Sequence, residues 1–156
     1  MKEQAVTHST FVIERSYPAT VQQVFAAFAD PAKKRRWFGN DEATEVEEFE
    51  IDFRVGGRES RRSRFKADSP FPGQALINQT YYLDIVPDRR IVFAYTMAFG
   101  ERRFSSSQST FEFLSDGKGT QLVYTEQAAF FEGADGPKMR EEGWRLLLEK
   151  LTAELA

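Results

Sequence analysis

In "STFVIERSY" (9–17), Phe11, Ile13 and Arg15 fall on one face and Val12 and Glu14 on the other, and this period of two predicts a strand that Pro18 stops. The period then changes. Val21, Val24, Phe25 and Phe28 recur at helical spacing behind Thr20, which can cap a helix, with Gln23 in the partner position of a capping box. Asp30 and Pro31 repeat the signal, an N-cap followed by the residue best tolerated in a first turn, and predict a short second helix over 31–37 that Gly39 and Asn40 end. Phe49, Ile51 and Phe53 alternate with Glu48, Glu50 and Asp52, which predicts a hairpin of strands 45–54 and 58–66. Its loop is Val55-Gly56-Gly57, whose glycines are expected to supply the positive φ of the turn. With a three-residue loop, Glu50 faces Arg62 and Glu48 faces Arg64. Four more strands follow in 73–87, 90–100, 102–114 and 120–128, separated by turn chemistry at Pro87-Asp88, Gly100-Glu101 and Ser115 to Gly119. A last helix over 137–155 carries Trp144, Leu147, Leu148, Leu151 and Leu155 on one stripe.

Consecutive strands joined by tight turns make an antiparallel sheet, and the long amphipathic helix has to bury its stripe against one face of it. The expected fold is therefore α+β: about seven strands, two short helices after the first strand, and a long C-terminal helix. The 156 residues, 41% hydrophobic and 14% aromatic, suffice for one core, so a single domain is expected over 9–156 behind a flexible N-terminus, 1–8.

Charge decides how the basic run "KKRR" is read. The formal net charge is -3 and the pI about 5.3, so nucleic acid is not expected as a partner. Four consecutive helical residues fan around the axis, and Lys33 to Arg36 read as a solvated helix end that suits the helix dipole. Lys33, Lys34 and Arg36 are expected to be exposed and replaceable, and Trp37, leaving the helix beside Phe38, to turn inward. Residues 41–52 hold seven acids and no base, and 54–66 six bases and one acid, so the two hairpin arms answer each other's charge. Cysteine is absent, which removes disulfides and thiolate chemistry. No apolar run approaches a membrane span and the opening "MKEQAVTHST" lacks a signal-peptide stretch, so a soluble, cytoplasmic protein is expected, without a membrane partner.

Five segments carry a resemblance in order and spacing: "FVIERSYPATVQQVFAAFADPAKKRRWF", "DFRVGG", "DIVPDRRIVFAY", "GTQLVYTEQAAFFEG" and "EEGWRLLLEKL". Together they resemble the activator-of-heat-shock-ATPase homologue family, within the START and pollen-allergen helix-grip (SRPBCC) superfamily, in its bacterial single-domain form. The resemblance implies a curved sheet wrapped around the C-terminal helix with a cavity between them. Superfamily members bind lipids, hormones or polyketides, and a few catalyse cyclisation or dehydration. The eukaryotic co-chaperone has an N-terminal domain with no counterpart in these segments, so ATPase activation is not what the resemblance implies most directly. Fold alone does not choose among these functions.

The lone histidine, His8, falls in the segment expected to be frayed, so a Ser-His-Asp site finds no support. Neither a metal site nor a cofactor is expected: "RVGGRES" lacks the Gly-Lys-Ser/Thr of a phosphate loop, and the carboxylates show no ligand spacing. Glu126 is the sharper candidate. Leu122, Tyr124 and Glu126 share one strand face, and if Leu122 faces the helix so does Glu126, where a carboxylate has to be paired, hydrogen-bonded or protonated. Arg61 and Arg103 are candidate partners. Two readings stay open: a structural ion pair, or an acid or base with Tyr82 or Tyr95 as hydrogen-bond donor. Trp37, Phe49, Phe65, Phe93, Tyr95, Phe111, Tyr124, Trp144 and Leu148, with Arg61 and Glu126, are expected to line a ligand cavity, and plain core explains the aromatics equally well. Gly143, inside the last helix, marks a need for space or for close packing. A domain binding a small apolar or aromatic ligand is the leading expectation, ahead of a chaperone-binding domain and a cyclase or hydrolase. Monomer and homodimer both remain open.

Overall fold

Two oxygen-bearing side chains fix where the first helices begin. The computed structural model describes residues 5–39 and 43–156. Strand β1 (Thr7–Tyr17) leads into α1 (Val21–Ala29), where Thr20 and Gln23 form the full capping box, and α2 (Pro31–Trp37) starts from Asp30, whose carboxylate accepts from the backbone of Ala32 and Lys33. Asn40, expected to help end α2, lies outside the described residues, as do Asp41 and Glu42 of the acidic arm. Then follow β2 (Thr44–Ile51), β3 (Arg58–Phe65), β4 (Ala75–Val86), β5 (Arg90–Phe99), β6 (Arg102–Asp116), β7 (Gly119–Phe130) and α3 (Pro137–Glu154).

Among the described residues the seven strands form one antiparallel sheet in the order β1-β7-β6-β5-β4-β3-β2, a meander whose last strand returns to pair with the first. Register shifts at Val46/Glu48, Tyr82/Asp84 and Met97/Ala98 bend it, and the helices fill its concave face. Phe25 and Phe28 of α1 meet Phe113 and Phe111, while Trp144 of α3 lies 4.4 Å from Tyr124, ring centre to ring centre, with Leu148 and Leu151 fully buried below it. The expected α+β helix-grip architecture is the observed one.

Three local expectations are corrected. β1 begins at Thr7, so His8 is paired opposite Ala129 and is not in a frayed segment. The hairpin register differs too: Glu48 faces Arg62 and Glu50 faces Ser60, because the strands end at Ile51 and Arg58 and leave a six-residue connection, 52–57. Its ion pairs run from Glu47 to Arg62 and Arg64. Gly56 has the positive φ, 82°, whereas Gly57 is there for space: a Cβ at that position would stand 2.1 Å from the Asp52 carbonyl oxygen.

Candidate ligand site between sheet and C-terminal helix

α3 is apolar on two sides. Arg140, Trp144, Leu148 and Leu151, spaced at four, four and three residues, make the buried stripe; Met139, Leu146 and the half-buried Leu147 lie beside it, Met139 and Leu146 being 62% and 68% exposed. Between this second stripe and strands β3 to β5 runs an open groove of about 1130 Å³, lined among others by Arg61, Asn78, Tyr95, Met97, Leu147 and Trp144. Gly143 also borders it. A Cβ there would meet nothing within 4 Å, so close helix-to-sheet packing does not explain this glycine, and the groove gains the space of a side chain.

The groove's inner wall is held by a buried polar cluster. Glu126 has 0% exposure, and its Oε1 accepts from the hydroxyls of Tyr95 and Tyr124, the latter at 2.8 Å. Tyr95 accepts in turn from Arg140 Nη1 at 3.0 Å and Trp144 Nε1 at 3.1 Å. Since Tyr124 gives its one proton to Glu126, the 2.8 Å contact with Ser109 leaves Ser109 as donor. Arg140 is anchored by Asp135, which takes two bonds at 2.8 and 2.9 Å, and by Ser105 at 2.7 Å. Glu126 Oε2 has no hydrogen-bond partner and stands 3.9 Å from Arg140 Nη1. Burial pushes the Glu126 carboxyl up, against the lowering effects of Tyr95 and Arg140, and burial likewise raises the Tyr95 and Tyr124 hydroxyls.

Arg140, and neither Arg61 nor Arg103, is therefore the cation facing Glu126. Arg61 instead donates to the Phe38 carbonyl at 3.1 Å and lies over the Phe38 ring, and Arg103 pairs opposite Ala98 on β6. Arg140 was legible as a buried position: it lies one α-helical repeat before Trp144, and four steps back along the stripe reach it. A charged residue there breaks the apolar pattern, which hid it.

The sequence-derived site residues divide. Arg61, Tyr95 and Trp144 border the groove. Phe93 and Phe111, with Tyr95 and Trp144, border a second, smaller cavity of about 20 Å³, which Tyr82 lines as well. Trp37 is 2% exposed, its Nε1 donating to Ala27 at 2.8 Å and its ring edge-on to Phe28; it is core, away from both spaces. Phe49, Tyr124 and Leu148 are core as well, and Phe65 clusters with Phe71 and Phe99. Phe38, not Trp37, stands where groove and cavity meet.

The expectation for "KKRR" fails outright at Lys34 and in part at Lys33, which is half-buried. Lys34 is buried, one α-helical turn from Trp37 on the inward face of α2, and its Nζ lies 2.7 Å from Glu59 Oε1. The Tyr82 hydroxyl donates to the same oxygen at 2.6 Å. The signal was Glu59 itself, the one acid among six bases in 54–66. Arg36 is exposed and binds Glu154. Among the described residues no cluster of His, Asp or Glu could hold a metal, and no helix is long and apolar enough to cross a membrane.

A curved antiparallel sheet closed around one long C-terminal helix, with a groove along that helix, defines a helix-grip protein. The chain belongs to the family described as Activator of Hsp90 ATPase homolog 1-like protein, whose model matches residues 18–156. It is similar to a crystal structure of a Rhizobium loti protein, at 50% identity over 97% of this chain and 99% of that one, with a TM-score of 0.83. A Rhizobium leguminosarum protein follows at 35% identity, 96% and 95% coverage and a TM-score of 0.88. A Chromobacterium violaceum protein has 25% identity, 94% and 96% coverage and a TM-score of 0.76. No curated protein matches the chain.

Proposed function

We propose that this is a binding domain for a small, largely apolar or aromatic molecule, which lies in the groove between α3 and strands β3 to β5. The observation that carries it is the groove itself: about 1130 Å³, walled by Met97, Leu147 and Trp144, with a helix-interior glycine, Gly143, left open beside them. Tyr95 and Arg140, locked by their own hydrogen bonds, give it a rigid polar side. Acid–base catalysis by Glu126 fits less well. Its carboxylate is sealed behind Tyr95 and Tyr124, whereas a general acid or base needs hydrogen-bond reach to its substrate. The Tyr82 hydroxyl is similarly committed to Glu59. Without cysteine the fold needs no oxidising compartment to form disulfides, and the cytoplasm is the proposed location.

Titration with 8-anilinonaphthalene-1-sulfonate tests the reading. The dye should bind the wild type in the micromolar range, and Gly143→Leu, which fills the groove from the helix side, should weaken it by about tenfold or more at a melting temperature no lower than that of the wild type, since leucine is the better helix former. Equal binding by the two proteins would show that the groove is not the site.

A further inference from the structure

The groove shares four lining side chains with the smaller cavity. Phe38, Asn78, Tyr95 and Trp144 border both the groove and the cavity of about 20 Å³, so the two spaces adjoin along these side chains, where the Phe38 and Trp144 rings stack with centres 6.0 Å apart. The cavity is bordered by the rings of Phe53, Phe93 and Phe111 and has a polar side, where the bonded group of Lys34, Glu59 and Tyr82 and, on strand β4, Thr80 and Asn78 line it.

That polar side has unused hydrogen-bonding capacity. Lys34 carries three N–H donors and, among the described residues, gives one, to Glu59, while its ammonium also lies over the face of Phe38, 4.8 Å from the ring centre. Asn78 Oδ1 is buried without a hydrogen-bond partner. Fold stability does not account for the pair either. A buried ion pair is commonly no more stabilising than apolar residues of the same volume, so Lys34 and Glu59 in an aromatic wall ask for another reason.

We propose that this polar side is a subsite of the same binding site, which takes the hydroxyl group of a hydroxylated aromatic or alicyclic ligand whose apolar body lies in the groove; the inference rests on the groove reading above. Size and charge select the group. About 20 Å³ admits one non-hydrogen polar group and little more. A hydroxyl accepts from Lys34 and donates to Asn78 Oδ1, satisfying both at once. A carboxylate is larger and meets the charge of Glu59, an ammonium meets Lys34, and a methyl group leaves both protein groups unpaired.

Calorimetric titration at neutral pH with 2-naphthol and with its near-isostere 2-methylnaphthalene tests this. The wild type should bind 2-naphthol at least about tenfold more tightly. Two variants locate the preference: Asn78→Leu removes the unpaired acceptor, and Lys34→Met/Glu59→Gln removes both charges while keeping an acceptor for Tyr82. In each the preference should fall to about twofold or less, with 2-methylnaphthalene bound at least as tightly as by the wild type, because the unpaired polar groups it would face are gone. Asn78→Leu breaks no protein hydrogen bond of the Asn78 side-chain oxygen, so it decides the matter alone if the double variant does not fold. Equal wild-type affinities, or a preference that survives Asn78→Leu, overturn the hydroxyl subsite and leave the groove standing. Binding of neither probe overturns the groove reading and the subsite with it.

Discussion

Lys33 and Lys34 are chemically identical neighbours on one turn of α2, and their surroundings separate them. Lys34 reaches inward to Glu59, and truncating it strands a buried carboxylate, so Lys34→Ala should cost about 3–5 kcal/mol. Lys33→Gln should stay within about 0.5 kcal/mol. Denaturant melts of the two variants check this, and equal losses would refute the inward assignment of Lys34. Glu126 is a second residue whose environment sets its behaviour. Burial raises its carboxyl above the ordinary value, so the folded state holds that proton more tightly than the unfolded chain does. The associated stability is full below the unfolded carboxyl's titration, near about pH 4.5, and is lost as pH rises through the higher folded value. Glu126→Gln never ionises and still accepts from Tyr95 and Tyr124. Its melting temperature relative to wild type should therefore climb as pH is raised from about 4 to about 8. A flat or falling difference across that range would mean that the carboxylate is not penalised by its burial.

At the scale of the element, α3 does two jobs with two stripes, and Gly143 sits on the boundary. A glycine inside a helix costs about 0.8–1 kcal/mol relative to alanine, and nothing at this position compensates through packing. Gly143→Ala should raise stability by about that amount, measured by chemical denaturation. A loss instead would show that some contact does require the bare backbone. The β2–β3 connection offers the opposite case: Gly57 has no room for a methyl group, because the Asp52 carbonyl oxygen occupies its place. The two glycines are equally plain in the sequence. Only the distance to the nearest backbone tells one role from the other.

For the whole molecule, the succession of strands and helices and the long C-terminal helix followed from the chain's periodicities, because alternation and helical spacing are local consequences of backbone geometry, whereas a cavity between sheet and helix was what the family resemblance implied and the pairing of β1 with β7 appears only in the fold. The helix starts were legible for the same reason: Thr20, Gln23 and Asp30 cap groups two or three residues away. What failed was long-range. The hairpin register at Glu48 and Glu50 turned on a connection of six residues, which leaves no compositional mark, and a bulge at Val46/Glu48 shifts it again further from the turn. Lys34 with Glu59, twenty-five positions apart, and Glu126 with Tyr95 and Arg140 meet only once seven strands and α3 have assembled. The aromatic residues show the division most plainly. The sequence by itself determined that Trp37, Phe38 and Trp144 would be buried, since burying apolar area is favourable wherever they go. The tertiary structure alone decided that Trp37 fills the core while Phe38 and Trp144 border both a groove and a cavity, because empty space belongs to the arrangement of elements and to no single stretch of chain.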